Sequence, residues 1–192
     1  AARHPNIGET LPGTRFDIFT GGKGANQAVA IARLGHPVHM IGKLGSDVFS
    51  TQMLEDLRTA GVRGQVSGSV SVQAGIALVI TADSGQNSII IIPGANDCPL
   101  PQDVEENKAL IESAGVILTQ METPLTTTEA LVAMASSGGV PLILDPTPAR
   151  HLPAQLMHKV AWITPNETEA QLLANNASSP TSELELRELA EY

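Results

Sequence analysis

The sequence predicts an α/β fold in which a mostly parallel sheet is flanked by helices and interrupted by a small antiparallel flap. Three observations predict it. Short apolar, strand-like runs alternate with helical patterns along most of the chain, the order from which parallel sheets are built. Two β-branched runs, 75–81 and 87–92, are separated only by the turn-forming Ala82-Asp83-Ser84-Gly85-Gln86, which makes them a hairpin and so locally antiparallel. A glycine-rich run, Gly21-Gly22-Lys23-Gly24-Ala25-Asn26-Gln27, opens directly into Ala28-Val29-Ala30-Ile31-Ala32, whose composition is helical.

Taken in order, residues 14–19 read as a strand leading into the glycine run, and 38–42 as a short strand after its helix. Gly45-Ser46-Asp47 starts a helix through Ala60, with Val48, Met53, Leu54 and Leu57 at near-helical spacing and Gly61 closing it. The hairpin follows. It reads either as an inserted flap or as an antiparallel edge of the main sheet. Ile89-Ile90-Ile91-Ile92, left without a partner, would be a sticky edge, which favours a flap that is covered or dimeric. Residues 101–114 read as one helix, with Pro at its start and acids in its first turns. Strands are predicted at 116–119, 142–144 and 160–164, and helices at 124–137 and 167–175. Residues 175–182 read as a linker-like loop, and Ser182 with Glu185 has the spacing of a capping box that opens a last helix.

Composition narrows the function. The 192 residues allow one domain or a little more, and 42% hydrophobic residues with 17 Gly are those of a globular chain. A net charge of −9 argues against a nucleic-acid or membrane surface. Cys98 is the one cysteine, so no internal disulfide forms, which fits a reducing, cytoplasmic compartment. The longest apolar runs, 76–80 and 89–93, are far too short to span a bilayer. The five His are scattered without metal-ligand spacing.

The chemistry concentrates in two places. In the glycine run, bare backbone lets a ligand approach main-chain N–H groups, and a helix N-terminus suits a polar or anionic one. Lys23 is its one charge, and Asn26 and Gln27 are fixed polar groups. A phosphate-binding Walker loop needs Ser or Thr after Gly-Lys, where Gly24 stands, and a dinucleotide fingerprint needs glycine where Gln27 stands. The second place is the set of strand ends, where open parallel sheets bind ligands. Glu122, Asp145, and Asn166 with Glu169 follow three predicted strands. Glu122 is either a solvated loop acid or a group for hydroxyls, since a carboxylate accepts two O–H donors. Asn166 and Glu169 have capping-box spacing, and a capped N-terminus aimed at phosphate is also an anion site.

The glycine run resembles the first signature of the PfkB, or ribokinase-like, family of carbohydrate kinases, in the form used by its ribokinase branch. Further resemblances extend from Gly8-Glu9-Thr10 to about residue 177: Gln120-Met121-Glu122, Asp145-Pro146-Thr147-Pro148-Ala149-Arg150, and Thr164-Pro165-Asn166-Glu167-Thr168-Glu169-Ala170. The family pattern has Ala where Thr147 stands.

The resemblance implies a single partial ribokinase-like domain over 1–192, with lid segments near 8–20 and 73–96. It implies transfer of the ATP γ-phosphoryl group to a pentose, D-ribose to ribose 5-phosphate, in the full-length form. Gly22, Lys23, Gly24, Ala25, Asn26 and Glu122 would bind the sugar, Asn166 the ATP phosphates, and Glu169 Mg2+ through water. Arg150 is read as structural. A monovalent cation such as K+ and a homodimer formed through the lid belong to the same resemblance. The family's opening strand, with its sugar-binding Asn and Asp, is expected before this chain. Its Gly-Ala-Gly-Asp motif, whose Asp is the base, is expected after it, so no catalytic base is assigned among these residues. The competing readings are a non-catalytic sugar-binding or dimerising module and a Rossmann-type dehydrogenase, which the glycine pattern disfavours.

Overall fold

The computed structural model describes residues 1–64, 66–68, 71–150 and 153–174. The chain divides into two compact units, Ala1–Asn96 and Asp97–Tyr192. The predicted linker at 175–182 and the capping box of Ser182 with Glu185 lie outside the described residues.

In the first unit, helix α1 spans Lys23–Arg33 and so begins inside the glycine run. Gly22 precedes it at φ 92, a backbone conformation that favours glycine. The face of α1 carrying Ala25 and Ala28 packs against Leu57 and Val62, with Met40, Met53 and Val66 around them. The strand expected at 38–42 is displaced: a single bridge joins His39 to Arg63. The ladder itself joins β1, Gly42–Leu44, to β2, Val66–Gly68, in parallel, with Gly42 opposite Val66. Helix α2, Val48–Thr59, is the crossover between them, so the three elements form a βαβ unit.

No strand forms at 14–19. An extended segment becomes a strand only when a ladder partner takes its backbone groups, and among the described residues none pairs with this one. Phe16, Ile18 and Phe19 are exposed there.

The hairpin has the predicted form. Strands β3, Ile76–Thr81, and β4, Asn87–Ile92, are antiparallel, from Ile76 opposite Ile92 to Thr81 opposite Asn87. All six residues of β4 are exposed. The base of the hairpin is pinned closely. Ala95 N–H donates to the Gln73 carbonyl at 2.9 Å and Ser46 N–H to the Val72 carbonyl at 3.1 Å. A Cβ on Gly94 would lie 2.5 Å from the Gln73 carbonyl oxygen, so only glycine allows that approach.

Asp47 links this base to α2. Its carboxylate accepts the Ser50 N–H at 2.8 Å as an N-cap and the Ala74 N–H at 2.8 Å across the chain. Those donors, Ala74 first, hold the Asp47 carboxyl below its ordinary value. A depressed folded value means that the stabilisation is present above the ordinary value and lost as pH falls through the lowered one. Asp47→Ala is therefore expected to lower the melting temperature at neutral pH. The gap from wild type should close as pH falls below about 4, which thermal melts at neutral and acid pH check.

The second unit holds a three-stranded parallel sheet in the order β5-β6-β7: Ile117–Gln120, Leu142–Asp145 and Trp162–Ile163. Helix α5, Leu125–Gly138, connects β5 to β6 and ends on Gly139 in the left-handed region at φ 69. The core lies between this helix and the sheet: Met121, Val132, Ala135, Leu142, Leu144 and Leu156. A short helix α6, Ala154–Met157, and helix α7, Glu167–Ala174, flank β7 in the chain.

The single helix expected at 101–114 is two, α3 at Pro101–Glu106 and α4 at Lys108–Glu112. Asn107 makes the break. Its carboxamide donates to the Asp103 carbonyl at 2.8 Å, the acceptor that its own N–H would take in a continuous helix. That N–H turns instead to the Val104 carbonyl at 3.2 Å.

Candidate active site

In the first unit, the candidate residues form the first turn of α1 and the glycines before it. The first intrahelical bond runs from Asn26 N–H to the Gly22 carbonyl at 2.9 Å. The N–H groups of Lys23, Gly24 and Ala25 precede it, so none has a carbonyl one turn back within the helix. A Cβ placed on Gly21 or Gly22 would meet nothing within 4 Å among the described residues. Lys23 and Gly24 are half-buried and Asn26 is exposed. The Ala25 methyl is buried in the core, which leaves its N–H as the group it can offer a ligand. The approach to the cradle is anchored by Thr20, whose hydroxyl donates to Asp56 Oδ2 at 2.6 Å, while Gln52 Nε2 donates to Oδ1 at 2.8 Å. Thr20 first, and Gln52 second, hold the Asp56 carboxyl below its ordinary value.

In the second unit, the parallel strands deliver polar residues at one edge of their sheet, beyond their C-terminal ends. Past β5, Met121 is fully buried and Glu122 follows it, half-buried. The Met121 backbone is held on both sides by the loop after β6. Its N–H donates to the Thr147 carbonyl at 3.0 Å, and its carbonyl accepts Arg150 Nη2 at 2.5 Å. Arg150 thus sets the place of Glu122 by holding the backbone beside it. Asp145 closes β6 and stands opposite Gln120 in the ladder.

Asn166 and Glu169 form a reciprocal capping box at the start of α7. Asn166 Oδ1 accepts the Glu169 N–H at 2.9 Å, and Glu169 Oε2 accepts the Asn166 N–H at 2.9 Å. Glu169 is only 7% exposed. Its other oxygen, Oε1, accepts the Thr147 hydroxyl at 2.6 Å, and the same hydroxyl lies 2.7 Å from Asp145 Oδ1. Two carboxylates therefore converge on one hydroxyl hydrogen, which raises the local negative potential and suits a nearby cation. The Asn166 carbonyl oxygen is used by the cap, while the residue itself is exposed with its amide N–H donors at a helix N-terminus.

The structure thus joins Asp145, Asn166 and Glu169 through Thr147 and places Glu122 on the same sheet edge. Gly22, Lys23, Gly24, Ala25 and Asn26 lie in the other unit. Sequence reasoning missed Thr147; the available signal was a hydroxyl residue between two prolines at a strand end. Among the described residues no group of three or more His, Cys, Asp or Glu could hold a metal ion. Any divalent ion would take most of its ligands from water and a ligand's phosphates, the usual habit of Mg2+.

A family model for pfkB family carbohydrate kinases matches residues 3–191. The chain belongs to that family. The ribokinase of Bacillus subtilis (strain 168) is 40% identical over 172 residues, covering 89% of this chain and 58% of the relative. The ribokinase of Haemophilus influenzae is 40% identical over 167 residues, covering 86% and 55%. The solved structure of Arabidopsis thaliana ribokinase complexed with ribose and ATP superposes with a TM-score of 0.86 at 30% identity, covering 98% of this chain and 62% of that one. The fold of this pfkB-family chain is accordingly ribokinase-like α/β. The chain spans 58% and 55% of the two curated relatives, little more than half their length. No helix among its described residues is long and apolar enough to cross a membrane.

Proposed function

We propose that the full-length protein is an ATP-dependent pentose kinase that converts D-ribose to ribose 5-phosphate. The observation that carries the reading is the Gly-Gly-Lys-Gly-Ala-Asn-Gln run placed at the start of α1 in a chain of the pfkB family. Lys23 and Asn26 hold sugar hydroxyls, with the N–H groups of the first turn beside them. Glu122 accepts two hydroxyl protons of the sugar. The exposed Asn166 amide and the α7 N-terminus meet the ATP phosphates. Glu169, fixed by its cap, would hold Mg2+ through water. Mg2+ when bound neutralises charge on the transferring phosphoryl group. The protein's part is positioning: Asn166 and Glu169 are held by their reciprocal cap, and Glu169 by Thr147 as well, before substrate arrives.

The same reading includes a cytoplasmic location, a single domain with a lid near 8–20 and 73–96, and a place for a monovalent cation such as K+. It also includes a dimer made through the hairpin, which the exposed Ile89, Ile90, Ile91 and Ile92 support. The family's Gly-Ala-Gly-Asp motif does not occur in the 192 residues. A second reading, for the chain alone, is a sugar-binding or dimerising module without turnover. Ribose-dependent ADP release by the full-length protein supports the kinase reading, and ribose binding without ADP release by the 192-residue chain supports the module.

A further inference from the structure

We propose that Thr147 is a positioning residue for the phosphate-facing end of the site, acting by holding Glu169 through its hydroxyl. The inference rests on the kinase reading above. Glu169 is buried, and its two oxygens have separate protein donors: the Asn166 N–H at 2.9 Å on Oε2 and the Thr147 hydroxyl at 2.6 Å on Oε1. The first is a local bond that any capping box makes. The second reaches across 22 residues from the β6 loop, and it sets the rotation of the carboxylate about its own axis.

Thr147 is itself held through its backbone from two directions. Its N–H donates to Asp145 Oδ1 at 3.2 Å, and its carbonyl accepts the Met121 N–H at 3.0 Å. One residue therefore connects the ends of β5 and β6 with the start of α7. Glu122 follows Met121 directly, so the backbone that carries the proposed sugar carboxylate and the side chain proposed to face Mg2+ share this anchor. A residue held so tightly has lost its side-chain freedom before ligand binds, and it passes that order to Glu169 at no further entropic cost.

The test compares Thr147→Val, which keeps the shape and removes the hydroxyl, with Thr147→Ser, which keeps the hydroxyl. Each is made in the full-length protein. ATP affinity with Mg2+ and ribose affinity are read separately by calorimetry, alongside KM and kcat. Thr147→Val is expected to weaken Mg2+-dependent ATP binding about tenfold, the worth of one hydrogen bond to a charged group, with ribose affinity within about twofold of wild type. Thr147→Ser is expected to restore most of the loss. In the background of Glu169→Gln, adding Thr147→Val should cause little further loss, because both changes act through one carboxylate.

Unchanged ATP affinity in Thr147→Val overturns the proposal. So does an equal weakening of ribose and ATP, or a loss that Thr147→Ser does not repair, since either marks a purely structural residue. A wild type that binds ribose and ATP but responds to none of these changes sinks the role of Thr147 alone. A wild type that binds neither ligand sinks the kinase reading, and the two failures are thereby distinct.

Discussion

Replacing Leu144 by Ala is expected to lower the unfolding free energy by about 3–4 kcal/mol, the usual range for a fully buried leucine. Leu144 is 0% exposed and lies on the central strand of its sheet, packed in one cluster with Met121, Val132, Ala135, Leu142 and Leu156. Strands on either side hold β6 by ladder bonds, so the cavity has little room to collapse. The loss extends beyond stability, because Asp145 follows Leu144 directly and Met121, beneath the same cavity, precedes Glu122. Urea unfolding of wild type and variant measures it. A loss below about 1 kcal/mol would show that this cluster is not the centre of its unit.

Glu122→Ala is expected to lower kcat/KM for ribose by about a hundredfold in the full-length protein. The figure follows from two charge-assisted hydrogen bonds of about 1.5 kcal/mol each. The melting temperature should stay near that of wild type, since the packing at this point is done by Met121 and the backbone there is held by Thr147 and Arg150. Steady-state kinetics with ribose as the varied substrate, run beside a thermal melt, check both parts. Retained kcat/KM would return Glu122 to an ordinary loop acid.

Much of the fold was legible because its signals are local. The hairpin followed from β-branched runs around Ala82-Asp83-Ser84-Gly85-Gln86, and its ladder runs from Ile76 opposite Ile92 to Thr81 opposite Asn87. The cap at Asn166 with Glu169 followed from residue type and spacing, and the start of α2 from Gly45-Ser46-Asp47. What was not legible depends on partners distant in sequence or on a competing bond. Residues 14–19 have the composition of a strand but, among the described residues, no ladder to join. Strand β2, Val66–Gly68, has little intrinsic signal and exists because the α2 crossover brings it beside β1. The start of α1 at Lys23 rather than after Gln27 places Gly24 inside a helix. This costs little in a first turn, whose N–H groups lack helical partners in any case. The break at Asn107 came from one carboxamide taking a backbone acceptor.

The candidate site divides in the same way. The glycine run and the three strand ends were legible as motifs, since each carries its polar residues in sequence. The bond from Thr147 to Glu169 was not, because it joins two motifs 22 residues apart and no periodicity predicts it. Arg150 was read as structural, and its bond to the Met121 carbonyl at 2.5 Å gives that role a definite target beside Glu122.

The central claim is that Gly22, Lys23, Gly24, Ala25 and Asn26 at the start of α1 receive a pentose that accepts phosphate from ATP. Its most direct test is ADP release by the full-length protein with Mg2+, comparing D-ribose with deoxyribose, fructose and no sugar, in wild type and in Lys23→Met. The account predicts turnover that requires a pentose, is fastest with D-ribose, and falls steeply in Lys23→Met. Turnover that is indifferent to the sugar, or undiminished in Lys23→Met, would contradict it.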